Sequence, residues 1–189
     1  MKKIKILITF IAFGTLISFQ KPIENSEKEI NWVTLEEAIE LQEKAPKKII
    51  MDVYTNWCGP CKMLDKYTFH NEDVVNYINE HFYAVKFNAE GNDDISYKDK
   101  TFSNPNYDPA KSNRRNSAHQ FARFLKVRAY PTMVFFDEEA NYITPISGYL
   151  KPQQIELYLK LFKTDKYKDM DTQEKFNEYY KSFEPTFKE

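Results

Sequence analysis

The chain has 189 residues, 42% of them hydrophobic, and a formal net charge of -1. Length and apolar share suit one domain with a buried core, and so even a charge gives no basis for a nucleic acid or anionic membrane as partner. Two cysteines are too few for a disulfide-dense scaffold.

Lys2, Lys3 and Lys5 form a basic start, and residues 6–19 are an apolar run broken only by Thr9, Gly14, Thr15 and Ser18. That run is shorter than the roughly 20 residues that cross a bilayer. Residues 1–20 therefore read as a signal peptide, which places the mature protein outside the cytoplasm. Only Ser18 offers a small residue near the end of the run, so an uncleaved membrane anchor stays open as an alternative. Residues 21–32 read as a polar linker, 33–163 as the domain, and 164–189 as a C-terminal extension.

Within the domain, Thr34 and Glu37 fit a capping box for a helix that Pro46 ends. Residues 47–54, "KKIIMDVY", form a short apolar run, as expected of a strand covered on both faces. A helix follows to about His70, Asn71 caps another through about Glu80, and 82–89 alternates as a second strand. Residues 91–116 are rich in Asn, Asp, Ser and Lys and read as a long surface loop or small excursion. Its Lys111, Arg114 and Arg115 are expected in solvent. Ala118, Phe121, Ala122 and Leu125 restore helical spacing, and 132–137 with 141–147 read as a hairpin. Ile155, Tyr158, Leu159 and Phe162 form the inner face of a helix with Pro152 near its start. Phe176, Tyr179, Tyr180 and Phe183 share helical spacing in the tail, which predicts a last helix packed on the core. Helices alternating with strands and a closing hairpin imply an α/β fold, a mixed central sheet with helices on both faces.

Both cysteines fall within "YTNWCGPCKMLDKYTF" (54–69), directly after the first strand. Such a pair is a structural staple, half of a metal site, or a reversible redox centre. Residues three apart on a helix face the same way, which brings the two sulfurs within bonding reach. Cys58 stands at the predicted helix start, where free N–H groups and the positive end of the helix dipole favour a thiolate. That makes it the attacking sulfur. Pro60 is tolerated in a first turn, whose N–H groups have no helical partner. Cys61, one turn in, is expected to be less exposed and to close the ring. Zinc would need two more ligands, and His70, His81 and His119 lack finger-like spacing. An inert bridge over so small a ring would constrain little of the unfolded chain. The balance falls on redox chemistry.

Asp52 lies in the middle of the apolar strand, where burial of a carboxylate is costly unless a site uses it. Desolvation there would raise its pKa and let it hold the second thiol's proton; at a sheet edge it would simply be solvated. Asp65, four residues after Cys61 on the same helical face, either adds charge beside that sulfur or faces water. Trp57 either shields the pair and offers a flat contact to a peptide, or packs.

Through "WCGPC" (57–61) and "AYPTMVFF" (129–136), the chain resembles the thioredoxin family over about residues 33–163. The resemblance implies that family's fold, with Cys58, Gly59, Pro60 and Cys61 as its redox-active motif. It aligns Pro131 with the family's cis-proline, so that Tyr130, Pro131 and Thr132 present backbone to substrate. It places Asp52 on the buried acid, Lys86 on the lysine beside it, and Gly148 on a glycine near the site. Over "MDVYTNWCGPCKMLDKYTFHNEDV" (51–74) the chain also resembles the C-terminal periplasmic domain of DsbD-type proteins, in which two acids flank the pair as Asp52 and Asp65 do. The Gly-Pro dipeptide and the 91–116 insertion depart from that branch. Implied is a periplasmic reductase of protein disulfides, fed by an upstream dithiol donor that in this branch is membrane-embedded, with no metal or organic cofactor. An oxidase or isomerase, or a non-enzymatic binding module built on the insertion and tail, are the competing readings.

Overall fold

The structure, a computed structural model, describes residues 29–189. The signal-peptide reading of 1–20 lies outside the described residues. Among those described, β1 (Trp32–Val33), α1 (Leu35–Lys44), β2 (Lys48–Tyr54), α2 (Gly59–Tyr67), α3 (Glu72–His81) and β3 (Phe82–Asn88) come first. A small hairpin, β4 (Ile95–Tyr97) and β5 (Lys100–Phe102), and α4 (Gln120–Phe124) follow. The chain continues through β6 (Thr132–Phe136), β7 (Tyr142–Ser147), α5 (Pro152–Lys163) and α6 (Gln173–Ser182).

The main sheet runs β1-β3-β2-β6-β7. β3 is parallel to β1 and β2, whereas β6 pairs antiparallel with β2 and β7 with β6. This is the mixed sheet expected from the element order. Helix α1 starts as its sequence requires: Thr34 Oγ1 accepts from the Glu37 amide at 3.1 Å, and the Glu37 carboxylate accepts from the Thr34 amide at 2.8 Å. Because strand residues alternate between faces, β2 serves two cores. Ile50 packs with Leu64, Val74 and Ile155 under α2, α3 and α5. Ile49, Met51 and Val53 pack with Leu35 and Phe121 under α1 and α4. The same alternation turns Asp52 toward α2.

Two expectations need correction and a third is narrowed. The linker does not extend to residue 32: Ile30 is buried, and Trp32 sits edge-on to Phe69 at 5.2 Å. Polar neighbours hide so short an edge strand from any periodicity. Of its two readings, the 91–116 segment is the small excursion, built on the β4–β5 hairpin, and not the open loop. Tyr97 is buried against Phe121 and Phe136 and donates its hydroxyl to the Ala140 carbonyl at 2.7 Å. Buried Asn104 donates to the carbonyls of Gly91 and Ser117, both at 2.9 Å, and so clasps the base of the insertion. Finally, α6 forms but buries none of its residues fully; Phe176 is half-buried and stacks on Tyr158 of α5 at 6.3 Å. The segment after it goes deeper, where Phe187 enters the core and Glu156 of α5 accepts the amides of Thr186 and Phe187.

Candidate active site

Strand β2 ends beneath a short turn, and Cys58 then caps α2, with Pro60 in the helix's first turn. Cys58 and Cys61 are joined by a disulfide, Sγ–Sγ 2.08 Å and Cα–Cα 5.3 Å. The Cys61 amide donates to Cys58 Sγ at 3.1 Å. One sulfur thus takes the place that a serine or aspartate oxygen fills at ordinary helix starts. Gly59 and Pro60 face outward, and a Cβ at Gly59 would meet nothing within 4 Å, so packing does not demand glycine there. The histidines are engaged elsewhere: His70 with the Asp65 carbonyl, His81 against Tyr77, and His119 with the Asp93 carbonyl.

The expected order of exposure is reversed, with Cys58 at 2% and Cys61 at 6%. The cause lies on the Cys58 side. Trp57 meets Tyr130 edge-on at 6.1 Å and carries the Arg115 guanidinium 4.8 Å above its ring. Its Nε1 donates to Glu90 Oε2 at 2.7 Å, and the same oxygen accepts from the Asn116 amide at 2.8 Å. The insertion is thereby fastened to the tryptophan beside the disulfide. Cys58 still opens into a groove of about 590 Å³, lined also by Trp57, Pro60, Arg128 and Tyr130.

Cys61 opens the other way, into a cavity of about 430 Å³ that it shares with Asp52, Asp65 and Lys86. Asp52 is 3% exposed, and no described residue donates to its Oδ1. Burial pushes its carboxyl up to about 7, against the pull of the Lys86 ammonium and with a smaller push from Asp65. Lys86 faces it across the β2–β3 register and forms an ion pair with Asp65. Asp65 is therefore neither a bare charge beside sulfur nor an idle solvated one; it shares the lysine that tempers Asp52.

On the groove side the Tyr130–Pro131 peptide bond is cis. Pro131 presents its carbonyl to the Gly148 amide at 2.9 Å, where φ of 108° suits a residue without a Cβ. Thr132 is buried and donates to the Ala129 carbonyl at 2.8 Å. The structure thus brings Trp57, Cys58, Pro60 and Tyr130 to one opening, and Asp52, Cys61, Asp65 and Lys86 to the other. Sequence reasoning missed Glu90, Arg115, Asn116 and Arg128, since no spacing links an insertion to a helix start.

The thioredoxin-like domain family matches residues 35–163. The chain belongs to that family. Among curated relatives, thiol:disulfide interchange protein DsbD of Pectobacterium atrosepticum is 24% identical over 121 residues, 63% of this chain and 17% of that protein. DsbD of Photorhabdus laumondii is 23% identical over 151 residues, 78% of this chain and 22% of that one. The thioredoxin-like chain thus spans about a fifth of the length of these relatives. A thioredoxin-fold protein from Helicobacter pylori superposes with TM-score 0.55 at 19% identity, over 84% of this chain and 93% of that one. A thioredoxin from Thermus thermophilus gives 0.52 at 14% identity, over 71% and 87%. These structures share the thioredoxin fold with this chain.

Proposed function

We propose that the protein is an exported thiol–disulfide oxidoreductase that reduces disulfides of partner proteins through Cys58 and Cys61. The position of Cys58 carries the proposal: a helix N-cap whose sulfur accepts a backbone N–H at the floor of an open groove. That hydrogen bond and the helix dipole stabilise a thiolate, the form that attacks.

In the dithiol state, Cys58 attacks one sulfur of the partner's disulfide. A bond forms between Cys58 and that sulfur as the partner's S–S bond breaks, and the second partner sulfur leaves as a thiolate and takes a proton. Cys61 then gives up its proton and attacks Cys58 Sγ. The Cys58–Cys61 disulfide forms and the first partner sulfur leaves, so two electrons pass from this pair to the partner's two sulfurs. Asp52, with a pKa of about 7, is suited to take the Cys61 proton across the cavity they share. Lys86 and Asp65 would tune that carboxyl. Tyr130, Pro131 and Thr132 would hold the substrate strand by β-type pairing, with Trp57 as a flat contact.

The reducing direction rests on the Gly59-Pro60 dipeptide and on the acids behind the pair, which disfavour the extra-stable thiolate of a strong oxidant. Electrons would return from an upstream dithiol protein, and the likeness to DsbD supports a membrane-embedded one. Export to the periplasm rests on the basic start and apolar run of residues 1–20. The test is insulin precipitation with dithiothreitol, in which wild type should accelerate turbidity and Cys58→Ser should not. Equal rates remove the proposal. Equilibration with glutathione reads the direction, and a potential at the oxidising end would make the protein an oxidase instead.

A further inference from the structure

The groove over Cys58 has a charge imbalance that disulfide exchange does not use. Three charged side chains line it: Glu90, Arg115 and Arg128. One oxygen of the Glu90 carboxylate is already taken by both the Trp57 indole and the Asn116 amide. Neither guanidinium is in an ion pair among the described residues. Arg115 lies flat over Trp57 at 4.8 Å. A guanidinium stacked in this way keeps its in-plane N–H groups available, in the fork that fits a carboxylate. Arg128 lines the same groove, two residues before Tyr130 of the cis Tyr130–Pro131 bond, so a peptide lying along that backbone comes near both guanidiniums.

We infer that Arg115 and Arg128 make this groove selective for disulfides whose cysteine is flanked by an acidic residue. The inference rests on the oxidoreductase reading and deepens it. Arg115 belongs to the 91–116 insertion, which then acts as a specificity element grafted beside a thioredoxin-like centre. The occupant is an extended segment of a partner protein, with a glutamate or aspartate one or two residues from the attacked cysteine. Its carboxylate meets the two guanidiniums while its sulfur meets Cys58.

The experiment uses the reduced protein in single turnover with three peptide disulfides of equal length, flanked by Glu, Ala or Lys. The rate ratio between the Glu and Lys peptides is taken within each protein, so any change in intrinsic thiol reactivity cancels. Wild type should prefer the Glu peptide about tenfold at low salt, because two partly exposed ion pairs each contribute a modest factor. The Ala peptide should fall between them, and about 0.5 M salt should compress the ratio. Arg115→Gln with Arg128→Gln should bring the ratio to about one; both side chains are exposed, so the fold tolerates the change. A wild-type ratio near one, or a tenfold preference that survives in the double variant, overturns the inference while leaving the oxidoreductase intact. No reaction with any of the three peptides overturns both.

Discussion

Two stretches of the chain, 91–116 and the tail beyond 164, have opposite destinations. The 91–116 insertion turns toward the chemistry: Asn116 shares Glu90 with Trp57, Arg115 covers that ring, and the Asn56 side chain donates to the Ser112 carbonyl at 2.9 Å. The tail beyond 164 turns toward the scaffold. Its end closes over Glu156, which is fully buried yet held below the usual carboxylate range: burial pushes it up, but hydrogen bonds from Lys160, Thr186 and Phe187 outweigh that. Phe187 fills the core beside it, meeting Tyr77 at 5.7 Å. One stretch reaches the tryptophan beside the cysteine pair and the other closes over the scaffold, a difference that the polar residues of the first and the aromatic spacing of the second did not foretell.

The sharpest way to break that contrast is to remove the tail's end. Deletion of residues 183–189 withdraws a buried aromatic ring and strands the Glu156 carboxylate without its amide donors. Loss of the ring alone is worth about 3–5 kcal/mol, whereas Glu156 keeps its Lys160 ion pair and gains water, so the shortened protein should lose about 3–5 kcal/mol in urea unfolding of the oxidised state. Its insulin-reduction rate, measured where it remains folded, should stay within about twofold of wild type. A slowed reaction at unchanged stability would assign the tail to the site and dissolve the distinction.

Asp52 gives the next largest effect and ties stability to the site itself. Its carboxyl titrates at about 7 in the fold against 3.8 for the free group. Between those values the folded protein keeps a proton that the unfolded chain has lost. The stability this represents is fully present below about pH 4 and disappears as the pH rises through about 7. At pH 8 the charged carboxylate costs about 4 kcal/mol, because each tenfold difference in proton affinity between the folded and unfolded states is worth about 1.4 kcal/mol. Asp52→Asn, neutral throughout, should therefore be more stable than wild type by up to about 4 kcal/mol at pH 8 and by little at pH 4. Its disulfide reduction should slow at least about tenfold and lose the limb of the pH–rate profile near 7. Equal stabilities at pH 8 would place that carboxylate in water and remove it from the mechanism.

Much of this was legible in the residues. The strand at 48–54, the capped helices and the cysteine pair are each specified by local chemistry: an apolar run, Thr34 with Glu37, Asn71, and two sulfurs three positions apart. Asp52 stood out because a carboxylate in such a strand demands a reason. What escaped was everything set by contacts between distant segments. Nothing in the stretch around Arg115 announces that it returns to Trp57, 58 positions earlier, and an aromatic pattern in 176–183 suggested core burial for a helix whose rings are at most half-buried. Periodicity tells which face of a helix is apolar, but not whether another element is available to cover it; here Phe187, outside any helix, took that place.

The smallest predicted effect tests the link between insertion and disulfide directly. Glu90→Gln keeps one carbonyl acceptor but gives up the charge that draws the Trp57 indole and the Asn116 amide to a single oxygen. Weakening those bonds should cost about 1 kcal/mol, a fall in Tm of about 2–4 °C for a chain of this size. The site should register it more strongly than the scaffold. In a Trp32→Phe background, where Trp57 is the remaining tryptophan, acrylamide quenching of its fluorescence should increase as the insertion loosens and water reaches the ring. Unchanged quenching in Glu90→Gln would mean that Trp57 holds its place through Tyr130 and Arg115, and that the Glu90 carboxylate does not couple the 91–116 segment to the redox pair.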